Sequence, residues 1–396
     1  MHSRRNFLKI VGTTTGGMLF LPEFLTALPA DLYQNNFLGN RQIVVTLQLN
    51  GGNDGLNTFI PYENPLYYEY RRNIGIPKNE VLKVANGMGF HPIMTGMHQM
   101  VQDGNLSVLQ NVGYPNPNRS HFRSVEIWQT ATNSNEYAST GWLGRYLDAT
   151  CKGDDPIGGM TIDSIDALAL RGQSAHALTM TDPIRFEKQL KALKTGQDDP
   201  IYEHPNLDFV RKLMIGSFEG ADQIQAALEK TKTGMPNYPK YGLATNLSWV
   251  ARMIKGDLPT SVYYTSLSGF DTHSNQKPKH QNLWKEVSES VKAFYDDMKA
   301  AGLLQNVTLM IFSEFGRRAK ENGSGTDHGA AAPVFVIGGG NKGKIIGANP
   351  DLSDLNNGDL KFQTDFRSIY ATLLKQKLNT NPMNIGIQAM PINGLF

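Results

Sequence analysis

Cysteine is almost absent: Cys151 is the only one in 396 residues. A single thiol excludes an intramolecular disulfide and any zinc cluster built on several thiolates. A basic excess is missing too. Lys and Arg number 38 against 36 Asp and Glu, and Arg4, Arg5 and Lys9 against Glu23 account for the whole surplus. Residues beyond 30 balance to zero, which removes the electrostatic footprint of a nucleic-acid binder. Long apolar runs are lacking as well. The stretch 10–28 carries Gly12, Gly16, Gly17 and Thr13 to Thr15, too polar for the roughly 20 predominantly apolar residues that cross a bilayer. No integral membrane span is expected, and no internal repeat or low-complexity linker breaks the chain. What remains is 40% hydrophobic and 19% charged, the balance of a globular protein with room for one large α/β domain or two smaller ones.

The N-terminus carries a specific signal. Residues 3–9 read Ser-Arg-Arg-Asn-Phe-Leu-Lys, which matches the twin-arginine export pattern S-R-R-x-F-L-K at every defined position. The mildly apolar stretch behind it suits a signal-peptide core. Residues 1–30 are therefore expected to be a twin-arginine leader processed after Ala30. The translocase is its partner, and the destination is the periplasm or the extracellular space.

From Arg41 onward strands and helices alternate. "RQIVVTLQL" (41–49), "NLSVLQN" (105–111), "SVYYTS" (261–266), "VTLMIF" (307–312) and "PVFVI" (333–337) read as buried strands. Leu283, Trp284, Val287, Val291, Phe294, Tyr295 and Met298 recur at helical spacing, and Gly302 ends that helix. Further helices are expected over 92–101, up to Thr130, over 207–230 and over 364–375. The polar stretch from about 150 to 240 reads as an insertion or cap. Apolar strands separated by helices predict an α/β fold, a mainly parallel sheet flanked by helices on both faces.

The loops after these strands hold the chemistry. Asp54 follows the first strand, Asp271 and His273 follow "SVYYTS", and Glu314 follows "VTLMIF". Open α/β sheets bind ligands outside the carboxyl ends of their strands, so these groups are expected at one edge. Asp327 and His328 would reach over from the glycine loop "GSGTDHG". Carboxylates with imidazoles and no thiolate suit a divalent ion, zinc or manganese before calcium or magnesium, and several carboxylates can hold two. Each residue alone has a plainer use, as turn former, cap or surface ion pair. His91, His98, His176, His204 and His280 have no comparable setting. Ser120 follows "PNPNR" where a helix opens, a place for a nucleophile over free N–H groups and equally for an N-cap. Arg119 or Arg317 could clamp an anion, and His121 could relay a proton.

"LNGGNDGLNTFIPY", "GYPNPNRSHF", "GFDTHSNQ", "SEFGRR", "GTDHG" and "TDFRSIYATLL" together resemble the exported bacterial family of domain of unknown function 1501. The resemblance runs from Arg41 to Phe396 and is weakest between about 150 and 240. It implies a single alkaline phosphatase-like domain of the phosphatase and sulfatase superfamily. Members of that superfamily hold two divalent ions and attack a phosphate or sulfate ester with Ser, Thr or a modified Cys. By motif, Asp271, His273 and His328 resemble one metal site and Asp54 with Glu314 the other, with Asp327 able to join either and Ser120 as nucleophile. The chain departs from the pattern in three places: Ser313-Glu314 stands for Asp-His, Asp271-x-His273 is tighter than Asp-x3-His, and no C/S-x-P-x-R motif is present. The resemblance implies an exported metal-dependent hydrolase of an anionic ester, on a small molecule or a sulfated or phosphorylated glycan. The alternative is a non-catalytic envelope or binding protein that keeps the fold with a structural metal or none.

Overall fold

The computed structural model describes residues 41–151, 156–174, 176–194, 205–233 and 236–396. The export motif, its apolar stretch and Ala30 lie outside the described residues. No helix among the described residues is long and apolar enough to cross a membrane.

β1 (Ile43–Asn50) is a run of β-branched and apolar residues buried on both faces. It is followed by a small antiparallel sheet of β2 (Phe59–Ile60), β3 (Leu82–Ala85) and β4 (Met88–Phe90). β5 (Leu106–Gly113), β6 (Gly159–Ile162), β7 (Ala177–Met180), β8 (Val262–Ser268), β9 (Val307–Ser313), β10 (Ala332–Gly338) and β11 (Ile345–Ile346) join β1 in the main sheet. β12 (Leu355–Asn356) and β13 (Asp359–Leu360) pair with each other, and β14 (Thr364–Asp365) pairs with β5. The main order is β11-β5-β10-β9-β1-β8-β6-β7. Every pair from β9 across to β7 is parallel, whereas β10 runs antiparallel to both β9 and β5. The expected mainly parallel sheet is therefore present. The stretch read as an insertion or cap supplies β6 and β7 to one edge of it, together with helices Pro183–Lys194 and Pro205–Lys230.

Helices cover both faces. On one, Trp128 of helix His121–Thr130 lies stacked against Phe312 of β9 and Phe366 of helix Phe366–Gln376, with ring centroids 4.9 and 4.3 Å away. On the other, Trp284 stands edge-on to Phe335 of β10 at 5.7 Å. Trp284, Val287, Val291, Phe294, Tyr295 and Met298 are the buried stripe of helix Gln276–Ala300, and Gly302 follows with φ +69°. The last helix starts two residues later than expected because Thr364 and Asp365 pair as β14. The Asp365 carboxylate then caps the helix by accepting from Arg367 N at 3.0 Å.

The directions of the strands place the site. β1, β5, β6, β8 and β9 all end at one edge, and β10, running the other way, begins there. The loops 51–54, 114–121, 163–168, 269–273 and 314–331 therefore gather at that edge, as open α/β sheets require.

Candidate metal centre and the cavity beside it

Two backbone contacts hold these loops close. A Cβ on Gly51 (φ +119°) would stand 2.3 Å from Asp271 N, and one on Gly325 would stand 2.4 Å from the carbonyls of Thr272 and His273. Only glycine lets the β1 loop and the 323–331 loop pass so near the β8 loop. The 114–120 loop is fixed by Tyr114, whose hydroxyl accepts from Asn118 N at 3.1 Å and meets Ser124 Oγ at 3.0 Å. That turn delivers His121 as the first residue of its helix.

His121, Asp271 and His328 converge, with one ligand atom from each lying within 4.8 Å of the others. His273 adjoins them: its Nε2 is 3.1 Å from Asp271 Oδ1 and 2.9 Å from His328 Nε2. What the far side of each ring touches decides what faces inward. His328 Nδ1 lies 2.8 Å from the carbonyl oxygen of Arg119, which can only accept, so Nδ1 carries the proton. His273 Nδ1 faces Asp327 Oδ1 at 3.4 Å, and His121 Nδ1 faces Glu314 Oε1 at 2.8 Å. Three Nε2 lone pairs are thereby turned toward the Asp271 carboxylate. His121 Nε2 is buried, makes no hydrogen bond and reaches Asp271 Oδ2 only at 3.5 Å. Imidazoles tied at Nδ1 to a carboxylate or carbonyl, with Nε2 bare, are the usual dress of metal ligands. Donors about 2.1 Å from one ion stand roughly 3–4 Å from each other, so this donor set fits a single divalent ion.

Electrostatics agree. Burial works against the ionised Asp271, but the hydrogen bond and charge of the Arg317 guanidinium lead the effects that outweigh it, and its carboxyl is held at about 2. The Glu314 hydrogen bond raises the His121 imidazole above its ordinary value, while partial burial lowers that of His328. An anionic carboxylate facing a neutral His328 is the protonation pattern a cation needs.

The remaining candidates are placed differently. Glu314 is buried and accepts from Gly51 N at 2.8 Å besides His121, so it orients the ring. Asp54 is fully buried: its Oδ2 pairs with Arg71 at 2.5 Å and accepts from Gln276. Asp54 and Glu314 thus serve different partners, and among the described residues one cluster forms. Arg317, expected as an anion clamp, is buried with each of its three nitrogens donating to the protein. They reach the carbonyls of Gly51, Gly52, Phe270 and Thr326, and Asp271 Oδ1 at 2.7 Å. With its side chain fully buried, it ties the loops together. The Arg119 guanidinium pairs with Asp359, so that residue serves the cluster through its carbonyl. Ser120 is exposed at the N-cap, but its side chain makes no capping hydrogen bond. Asp327 is exposed and accepts from Asn322 Nδ2 at 3.1 Å. Sequence reasoning offered His121 as a proton relay and did not place it in the cluster; its position in the loop that follows β5 was the available signal.

Beside the cluster opens a cavity of about 490 Å³ between β1, β8, helix His121–Thr130 and the 163–168 loop. His121, Asp271 and Glu314 belong to its lining, together with Phe122, Val125, Ile165 and Leu168.

No curated protein matches the chain. Among solved structures it is similar to a phosphonate monoester hydrolase from Silicibacter pomeroyi, at 9% identity over 89% of this chain and 76% of that one, with a TM-score of 0.40. A sulfatase from Pseudoalteromonas sp. is similar at 11% identity over 93% and 76%, TM-score 0.38. A protein in the alkaline phosphatase superfamily from Vibrio parahaemolyticus is similar at 13% identity over 87% and 69%, TM-score 0.38. A family model described as "Protein of unknown function (DUF1501)" matches residues 41–383. A match over so much of the chain, with the strand-end motifs all inside it, makes this protein a member of the DUF1501 family.

Proposed function

We propose that the chain is an exported, divalent metal-dependent hydrolase of phosphate or sulfate esters, with Ser120 as nucleophile. One observation carries the proposal: three imidazole Nε2 atoms and one carboxylate face each other, with their outer nitrogens tied back and His121 Nε2 buried without a partner. His121, Asp271 and His328 would hold the ion, with His273 beside them. Three imidazoles and one carboxylate favour zinc or manganese over the oxygen-seeking calcium and magnesium. When bound, such an ion neutralises an anionic ester and lowers the pKa of a nearby hydroxyl.

The chain's own residues prepare that site. Glu314 and the Arg119 carbonyl fix the rings of His121 and His328, and Arg317 keeps Asp271 ionised beside them. Ser120 precedes His121 directly, and its hydroxyl is not spent on capping. In the reaction Ser120 gives up its hydroxyl proton and its Oγ forms the bond to phosphorus or sulfur as the bond to the departing oxygen breaks, that oxygen taking up a proton. Water then attacks the Ser120 ester, releasing phosphate or sulfate and restoring the hydroxyl. The departing group leaves through the adjoining cavity.

The engagement of both Arg119 and Arg317 favours a second reading, a binding protein in which the ion is structural. Chromogenic phosphate mono- and diesters and sulfate esters, tested with added zinc or manganese, separate the two. Turnover that disappears in His328→Ala supports the hydrolase. Metal content without turnover of any ester supports the binding protein.

A further inference from the structure

The cavity beside the cluster has a chemistry of its own. Phe122 and Ile165 are 91% and 75% exposed, and both line it. Six large hydrophobic side chains stand exposed among the described residues, and two of them, Phe122 and Ile165, line this one cavity. Large apolar side chains left in water at a concave site mark a place for an apolar ligand. Val125 and Leu168 extend the same wall. Away from the cluster, where Asp271 and Glu314 are engaged with Arg317 and His121, the charged groups of the lining are Asp163 and Asp166, both acids, with no lysine or arginine. Asp163 is held by neutral donors, Ser266 N at 3.1 Å, Ser266 Oγ at 2.6 Å and Ser164 N at 2.6 Å, which leave its charge in place. Asp166 is partly offset by Arg171 at 3.2 Å.

We infer that this cavity receives the departing group of the substrate, and that this group is apolar and carries no negative charge. The inference rests on the hydrolase proposal for its use of the word substrate, but the recognition stands on the walls alone. An acidic, apolar pocket repels a second anion and welcomes a neutral or ammonium-bearing aryl or alkyl group. A polysulfated or polyphosphorylated glycan, whose next sugar would bring another anion against Asp163, does not fit it.

The test needs no turnover. Binding of naphthylmethanol, naphthylmethylammonium and naphthalenesulfonate to the metal-loaded protein is measured by calorimetry. Sulfonate is a poor metal ligand, so the comparison reads the walls. The alcohol and the ammonium should bind, and the sulfonate about tenfold or more weakly. Ile165→Ser and Phe122→Ser change exposed side chains, leave the fold intact, and should each weaken the alcohol about five- to tenfold. Sulfonate binding as tightly as the other two, indifference to both substitutions, or no binding of any probe overturns the inference. Hydrolysis is then followed separately with aryl phosphates bearing neutral, carboxylate or aminomethyl substituents. Absence of turnover with the binding preference intact removes the hydrolase and leaves the pocket. Turnover equal for all three substituents removes the pocket.

Discussion

Replacing Arg71 with Met should destabilise the protein severely, because Asp54 would be left ionised with no counter-charge. Both side chains are wholly buried and meet at 2.5 Å. The guanidinium also donates to Asn57 Oδ1 at 3.1 Å and to the carbonyls of Ala319 and Arg318, each at 3.0 Å. Removing one partner of a buried pair costs about 3–5 kcal/mol, largely the penalty of the stranded charge, against a total stability of roughly 5–15 kcal/mol. Two controls isolate the cause. In the native protein, burial raises the Asp54 carboxyl but Arg71 outweighs it and holds it below 3.8. Its contribution is therefore present above that value and lost as pH falls through the lower folded one. In Arg71→Met the largest effect opposing burial is gone, with only the weaker ones of His280 and Arg317 left, so the carboxyl should rise above 3.8, stability being favoured below that value and lost as pH climbs. The deficit of the variant should therefore shrink between pH 7 and pH 4. Adding Asp54→Asn should recover part of it even at pH 7. Urea unfolding of the native protein, the single variant and the double variant at both pH values provides the numbers. A cost under about 1 kcal/mol at pH 7, or a double variant as unstable as the single one, refutes the stranded-charge account.

Other outcomes follow from the same structure. His328→Ala should bind less zinc or manganese than the native protein, measured by elemental analysis of chelator-free material; equal content in both sinks the cluster as a metal centre. Ser120→Ala should abolish ester hydrolysis yet shift stability by less than the roughly 1 kcal/mol of a lost cap, since no capping bond exists to lose. Near-native turnover would show that another group attacks. Burial pushes the imidazoles of His91 and His280 down to about 4 and about 3. Stability should therefore be full above 6.5 and fall as pH drops toward those values, by order 3 kcal/mol for His91 alone. A urea midpoint unchanged from pH 7 to pH 4.5 contradicts this. Changing Arg4 and Arg5 together to Lys should keep the precursor in the cytoplasm, and an undiminished periplasmic yield would exclude the twin-arginine route.

The strands were legible because a sheet covered on both faces leaves no polar face to its strands: "IVVTLQL" and "VTLMIF" admit few other fates. Asp271, His273 and His328 were legible because acids and imidazoles directly after such strands have one edge to meet at. The arginines were not. Arg317 ends among carbonyls up to 266 residues away in sequence, and Arg71 reaches back 17 residues to Asp54. Which donors a carbonyl cluster consumes is settled only by packing, so an arginine beside a motif reads as a ligand clamp until its partners are seen. His121 stayed a neighbour of Ser120 for the same reason: Glu314, which turns its ring, lies 193 residues downstream.

The reversed direction of β10 has a consequence for how the centre comes into being. Because β9 runs into the edge and β10 runs out of it, one excursion of the chain delivers both Glu314 and His328, while His121 waits at the end of β5 on β10's other side. The residues that orient one another are separated by 57, 193 and 209 positions. No fragment shorter than most of the domain can assemble them, and pairing at such range is slow to form. On the proposed metal reading, capture of an ion at this edge would therefore be a timer for the whole sheet. In refolding, a metal-sensitive signal should rise with the last phase of native structure rather than with the first helices.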